Sequence, residues 1–469
     1  MSNDLELSDL GHIADRRSFT DRPFVLSFRR FLTLVALVFR KILLALSIVT
    51  VFFAQELRAN PLDTFGLTSA NIAMGGGATG TADSYDAVWY NPAGLGQLDG
   101  FDFGLGTLIY RPFLKATTHY TDESDQRIEQ TLPRAAVTRG FLDVGLASPI
   151  PLGKYDRSLF WGVNITFPIG SIYAIRERPA TEAYFPFLED RNRRIVLNAA
   201  LAFRWNWLMI GAGLSMLPNV YGGVDVDFTK DAQANQATVD VKMNLAPVVG
   251  IMVEPIEGLT IGFNWRCANN TYISIPVTAI LSQKIEPVRL KVTAYDYSTP
   301  HQIALGAGYK ADKYRVSGDI TYSFYSSFNL STPEVTLFDA GGGDKVVQQI
   351  LPPSAGFKNT FAVRFGGEYS PLKALAIRAG FGWVQSPVPA QTGVTNLLDG
   401  DRFTGSFGLG FDAAGVGGPP ISIDFHLAYG WILENRDAKT AVNLDNPGYP
   451  YVSGKGGVLN SGLTFKVRF

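Results

Sequence analysis

The chain has 469 residues, of which 18% are charged, 46% hydrophobic and 12% aromatic, with 48 glycines and a formal net charge of −1. Ordinary soluble domains carry roughly 25% charged residues, so this Gly- and aromatic-rich composition points to a β architecture. The balanced overall charge supports neither a nucleic-acid footprint nor a polybasic membrane-surface patch, and the single cysteine, Cys267, excludes an intrachain disulfide and a Cys-cluster metal site.

Residues 1–30 are mostly polar, Phe31 to Phe39 is apolar, Arg40-Lys41 is cationic, and Ile42 to Ala54 is almost wholly apolar. Cations ahead of a short apolar core have the form of a secretory leader. An apolar run of 13 residues falls short of the roughly 20 that a membrane-crossing helix needs. The expected leader is residues 1–59, with an extended polar start and a cut after Ala59 in Leu57-Arg58-Ala59.

From residue 100 onward, segments of about ten residues alternate apolar side chains with small or polar ones, the pattern of transmembrane β-strands. Leu159, Trp161, Val163, Ile165 and Phe167 form one such face, and a single parity holds from Val239 to Val253. Alternation alone also suits a soluble sandwich. Aromatic residues decide for a barrel: Trp205, Trp265, Trp383, Trp431, Tyr309, Tyr369 and Phe469 stand at strand ends in the apolar register, where an interfacial girdle belongs.

Strands are expected at residues 100–110, 132–148, 157–168, 195–206, 207–216, 239–253, 258–267, 301–310, 314–325, 360–370, 374–384, 403–412, 420–432 and 457–469, with short turns and long loops in alternation. The fold class is all-β, a transmembrane antiparallel β-barrel of 14 strands whose last strand, ending on Phe469, pairs with the first. Arg289 to Tyr297 also alternates, but as a spanning strand it would put a long loop on the wrong side. It is assigned to an outer-loop hairpin arm or an extension of the following strand.

Residues 60–99 lack strand alternation. They carry Met74-Gly75-Gly76-Gly77-Ala78-Thr79-Gly80 and then Ala82-Asp83-Ser84-Tyr85-Asp86-Ala87-Val88-Trp89-Tyr90-Asn91-Pro92-Ala93-Gly94-Leu95. The Gly-rich stretch, acidic turn and Asn-Pro-Ala-Gly-Leu run resemble the N-terminal hatch of FadL-type hydrophobic-compound transporters of the bacterial outer membrane. The resemblance implies a luminal plug at 60–99 inside a barrel at 100–469, with Asn91, Pro92 and Ala93 at the family's NPA positions and Gly75, Gly77 and Gly80 in the hatch. It also implies hydrophobic ligands such as long-chain fatty acids, captured near the outer loops and released sideways through a gap in the third strand, for which Gly162 is the candidate. Outer-membrane lipid and the barrel-assembly machinery are the implied partners. Physics asks for a plug independently, because a barrel this wide is not filled by its own side chains.

Gly75, Gly77 and Gly80 also spell G-x-G-x-x-G, but Pro92 follows too soon and no βαβ unit surrounds them. No G-x-S-x-G, H-E-x-x-H or P-loop pattern occurs, and the four histidines are scattered, so no enzyme, cofactor, metal or nucleic-acid partner is expected. Arg204, Arg315, Arg364 and Arg378 fall in lumen register, where each would give a ligand carboxylate charge-assisted hydrogen bonds or pair with Asp319, Glu368 or Asp424; structural pairing is the expectation for any one of them. Phe185-Pro186-Phe187-Leu188 and Phe324-Tyr325 with Phe328 mark either a capture groove or loops packed together. Passive uptake of hydrophobic compounds leads the functional readings. A PorV-like structural or secretion-associated barrel and a general porin are the alternatives.

Overall fold

The computed structural model describes residues 62, 64–133, 138–152, 158–170, 181–189, 195–227, 236–280, 288–327, 334–338, 346–350 and 356–469. The expected leader and Phe328 lie outside them. Two short helices, α1 (Ser69–Ala73) and α2 (Ala87–Tyr90), and a 3-10 turn (Pro92–Gln97) precede the strands. These are β1 (Asp102–Thr121), β2 (Arg127–Pro133), β3 (Arg139–Ile150), β4 (Leu159–Pro168), β5 (Val196–Trp205), β6 (Leu208–Asp227), β7 (Gln236–Ile256), β8 (Leu259–Arg266), β9 (Asn269–Ile280) and β10 (Val288–Thr299). They continue as β11 (Gln302–Lys310), β12 (Tyr314–Ser323), β13 (Glu334–Phe338), β14 (Val346–Ile350), β15 (Thr360–Leu372), β16 (Leu375–Val384), β17 (Arg402–Asp412), β18 (Ile421–Ala438) and β19 (Tyr451–Arg468).

Fourteen of these strands close a ring in the order β1, β3, β4, β5, β6, β7, β8, β11, β12, β15, β16, β17, β18, β19 and back to β1, every pairing antiparallel. Closure leaves no unpaired edge in lipid, where an unsatisfied backbone group costs several kcal/mol. At the seam, Phe101 and Phe469 exchange both backbone hydrogen bonds at 3.0 Å. Outward positions carry the apolar parity, with Leu201, Phe203, Leu305, Ile320, Phe365, Leu409 and Leu427 among the exposed side chains. Cross-strand aromatic pairs stiffen the surface, Tyr314 stacking on Tyr369 at 5.1 Å and Phe365 meeting Phe381 at 5.4 Å between ring centres.

The remaining strands are arms of the long loops. Arg289 to Tyr297 falls in β10, which forms a hairpin with β9 outside the ring. Several ring strands run beyond their expected limits: β1 continues past Tyr110 to Thr121, β6 reaches Asp227, and β19 begins at Tyr451. Above the lipid both faces meet water or loops, so apolar alternation stops while the backbone ladder goes on satisfying its own donors and acceptors.

The mouth on the long-loop side is strapped. Residues 181–189 join β4 to β5 and residues 385–401 join β16 to β17, nearly opposite in the ring. They meet where Leu398 N donates to Tyr184 O at 2.8 Å and Asn396 Nδ2 donates to Thr181 O at 2.6 Å. Tyr184, Phe185, Leu188, Leu397 and Leu398 are buried around this contact.

Candidate functional site

The segment at 64–98 touches every strand of the ring, and glycine makes most of the approach possible. β1, β3, β4, β6, β7, β8, β11, β15, β16 and β17 each turn a glycine inward, among them Gly104, Gly145, Gly211, Gly250, Gly262, Gly306, Gly366, Gly380 and Gly408, where a Cβ would overlap the segment. Gly75 presses its backbone against Phe365 and Phe381 carbonyls at a φ of +80°, which disfavours any side chain there on both counts. Gly77 packs on Arg364 and Gly80 on the Gly306-Ala307 backbone. The other four strands reach the segment through polar side chains: Arg204 Nη1 of β5 donates to Gly96 O at 3.2 Å, Thr79 Oγ1 to Asp319 Oδ2 of β12 at 2.9 Å, and Ser69 N to Thr464 Oγ1 of β19 at 2.8 Å, while His426 Nδ1 of β18 lies 2.9 Å from Ser69 Oγ.

Inside the segment, Asp86 Oδ2 accepts hydrogen bonds from Thr68 Oγ1 and Asn71 Nδ2, both at 2.7 Å, tying α1 to the turn before α2. The Tyr90 hydroxyl accepts from Leu67 N and donates to Leu67 O. Tyr85 lies in the slot over Gly104 and Gly145, and its hydroxyl donates to Asp143 Oδ2 of β3 at 2.6 Å. Fully buried Asn91 does two tasks. Its Oδ1 accepts from Ala93 N at 3.1 Å, capping the 3-10 turn that Pro92 starts without needing a donor, and its Nδ2 donates to Thr79 O at 2.8 Å and to Ile251 O of β7 at 3.2 Å. Ala93 packs between Met209 and Met252.

At Gly162 the wall is closed. β4 is in register with Ala147 on one side and Ala200 on the other, and Leu95 and Val88 fill the space a side chain would take.

The segment separates two spaces. Towards the short turns a cavity of about 530 Å³ is lined by Asp83, Asp99, Asp102, Arg204, Glu254, Lys310, Arg315 and Arg468. Here Arg315 Nη1 lies 3.2 Å from Asp83 Oδ2 and its Nη2 donates to Thr81 O, while Arg204 lies 3.7 Å from Glu254. Towards the long loops a cavity of about 130 Å³ is lined by Phe65, Ile72, Trp89, Tyr325, Val384 and Val458 together with Arg266, Arg364, Arg402 and Asp319.

Of the arginines expected in the lumen, only Arg364 reaches the upper cavity, 4.0 Å from Asp319. Arg378 is held on β16 by Glu368 and Asp424, each at 2.6 Å. Two cations singled out by no motif stand beside Arg364: Arg266, whose guanidinium carbon lies 3.5 Å from the centre of the Trp89 ring, and Arg402, which donates to Thr64 O at 3.0 Å. Both keep the inward parity of their strands, the signal by which they are legible.

In the outer loops Phe185 and Leu188 are buried in the strap, whereas half-buried Phe187 makes edge contacts with Tyr325 at 5.8 Å and Phe357 at 6.0 Å. Nearby, Ser386 Oγ donates to Asp399 Oδ2 at 2.7 Å, and burial pushes the Asp399 carboxyl up to about 6 against the pull of Ser386 and Arg402. The packed loop therefore holds this proton more tightly than the open loop does, so its stability is full below the ordinary value of 3.8 and is lost as pH rises through about 6. Hydrogen-exchange protection of residues 385–401 is expected to fall several-fold over that window, and Asp399→Asn to flatten the fall; unchanged pH dependence in the variant would assign it elsewhere.

A closed antiparallel barrel with an apolar outer belt defines an integral outer-membrane barrel protein. The model of the outer membrane protein transport protein family (OMPP1/FadL/TodX) matches residues 50–469, and the chain belongs to that family. It is an outer-membrane transporter of hydrophobic compounds. Alkane uptake protein A of Marinobacter nauticus is 22% identical over 413 residues, covering 81% of this chain and 85% of the relative. A FadL homologue of Pseudomonas aeruginosa superposes with a TM-score of 0.55 at 16% identity, over 88% of this chain and 98% of that one. The toluene transporter TodX of Pseudomonas putida gives 0.53 at 14% identity, over 86% and 99%. These structures share the fold.

Proposed function

We propose that this protein takes up apolar compounds with an acidic head, long-chain fatty acids foremost, by passive diffusion past a hatch formed by residues 64–98. The observation that carries this reading is the upper cavity, whose mixed lining sets Arg266, Arg364 and Arg402 against Asp319 and places Phe65, Ile72, Trp89, Val384 and Val458 beside them. A carboxylate entering there would exchange water for charge-assisted hydrogen bonds while its chain stays among Phe65, Ile72 and Trp89. Cargo enters beside the aromatic cluster of Phe187, Tyr325 and Phe357 and moves on as the hatch shifts, and no bond is made or broken. The lower cavity, lined by charges, is a poor road for an alkyl chain. That favours a sideways exit through the wall that Val88 and Leu95 now cover at Gly162, which requires the ladder of β4 to part.

A neutral cargo is the second reading, favoured by the relatives named for alkane and toluene. The purified protein is expected to bind oleate at least about tenfold more tightly than methyl oleate, a difference of the size charge-assisted contacts supply, and R364Q/R402Q to erase the difference. Equal binding of acid and ester by the unmodified protein would replace the fatty acid with a hydrocarbon.

A further inference from the structure

On the outside of the barrel, where the apolar wall gives way to the long loops, β1 and β19 gather cations that transport through the lumen does not use. Arg111, Phe113 and Lys115 point outward from β1 in one register, and all are exposed. Lys115 stands directly opposite Lys455 of β19, and Phe113 opposite Gly457, which is itself in register with Trp431 of β18. Arg111 starts one step lower, opposite Leu459, and leans upward so that its guanidinium carbon lies 5.3 Å from the centre of the Phe113 ring.

Like charges directly opposite on neighbouring strands repel. Lys455 is held by Glu434 at 2.8 Å, but among the described residues no ion pair holds Arg111 or Lys115. The group keeps an excess of positive charge at the upper end of the apolar wall. Among and beneath these cations the surface is apolar and aromatic: Phe113 and Trp431 are exposed level with the group, Tyr429 packs edge-on to Trp431 at 4.8 Å, and Leu463 is exposed below. With neighbouring strands about 4.8 Å apart, the three cationic heads fall within the span of a single doubly phosphorylated headgroup.

We propose that this patch, astride the seam of the barrel, is a binding site for a phosphorylated glycolipid of the lipid A class in the outer leaflet. Its phosphates meet Arg111 and Lys115 on one side and Lys455 on the other, and its acyl chains lie along the apolar wall below. A free phosphate would use the cations and leave the wall idle; a neutral lipid would use the wall and leave Arg111 and Lys115 facing each other's field uncompensated.

Native mass spectrometry of protein extracted from outer membranes in mild detergent tests this, with bisphosphoryl lipid A, lipid A lacking both phosphates and phosphatidylglycerol added in turn to delipidated protein. The unmodified chain is expected to retain bisphosphoryl lipid A in preference to both others. R111Q/K115Q/K455Q is expected to weaken that binding by about fivefold per charge removed, and K115R/K455R to keep it. Heat-modifiable migration on gels reports that each variant has folded, and R289Q/K291Q, which removes exposed cations of the β10 arm, serves as the charge control. The proposal is overturned if the triple variant holds the lipid as well as the unmodified chain, if the control loses it equally, or if the phosphate-free lipid binds as tightly.

Discussion

Deleting residues 64–98 is expected to turn a protein that passes little current into a steady, wide ion channel, with conductance in planar bilayers rising by more than an order of magnitude. The reason is geometric. A ring of this size is too wide for its own inward side chains to fill, and at the level of the segment its wall has been pared down to glycine on most strands, with Gly104 and Gly145 making the slot for Tyr85 and Gly262 the seat for Thr79 and Asn91. Without the segment those glycines line open space. A milder change should act the same way: Gly262→Leu puts a side chain where Thr79 O and Asn91 Nδ2 now lie, so the segment cannot seat although the barrel closes. Leakage of small polar solutes into vesicles should rise in both variants. If the deletion variant folds and remains as tight as the unmodified protein, the long-loop strap between Tyr184 and Leu397, and not the segment, seals the pore.

The ring was the legible part. Alternation places a strand at 195–206 where β5 is Val196–Trp205, and another at 374–384 where β16 is Leu375–Val384, because lipid on one side and lumen on the other impose opposite polarities on successive residues. The signal ends where lipid ends, which is why the upper reaches of β1, β6 and β19 went unread. The strap has no periodicity to read at all: Tyr184 and Leu397 join loops on opposite sides of the ring, a contact that only closure of the barrel brings about. Within 64–98 the helices are too short for a helical period, Ser69–Ala73 and Ala87–Tyr90 each spanning little more than one turn. Parity marks Arg266 and Arg402 as inward, but parity gives the face and not the height. Whether an inward arginine ends beside Trp89, as Arg266 does, or between two carboxylates, as Arg378 does, depends on where its strand stands in the ring.

Arg378 makes that distinction measurable. Its guanidinium lies 2.6 Å from both Glu368 Oε2 and Asp424 Oδ1, with its side chain 10% exposed and that of Asp424 4%. Arg378→Met leaves two carboxylates facing each other across the inside of β15, β16 and β18, with Lys466, 3.5 Å from Asp424 Oδ2, the one remaining ion-pair partner among the described residues. Removing one partner from a buried ion pair costs about 3–5 kcal/mol, whereas replacing the whole set by neutral groups is near neutral. Urea unfolding in lipid vesicles should therefore show a large loss for Arg378→Met and recovery of most of it in R378M/E368Q/D424N. If the proposed fatty-acid cargo is right, its binding in the folded triple variant should match that of the unmodified chain, because Arg378 touches neither Arg364 nor the upper cavity. Stability that survives Arg378→Met, or binding that fails in the stable triple variant, would move Arg378 from the framework of the barrel to the path of its cargo.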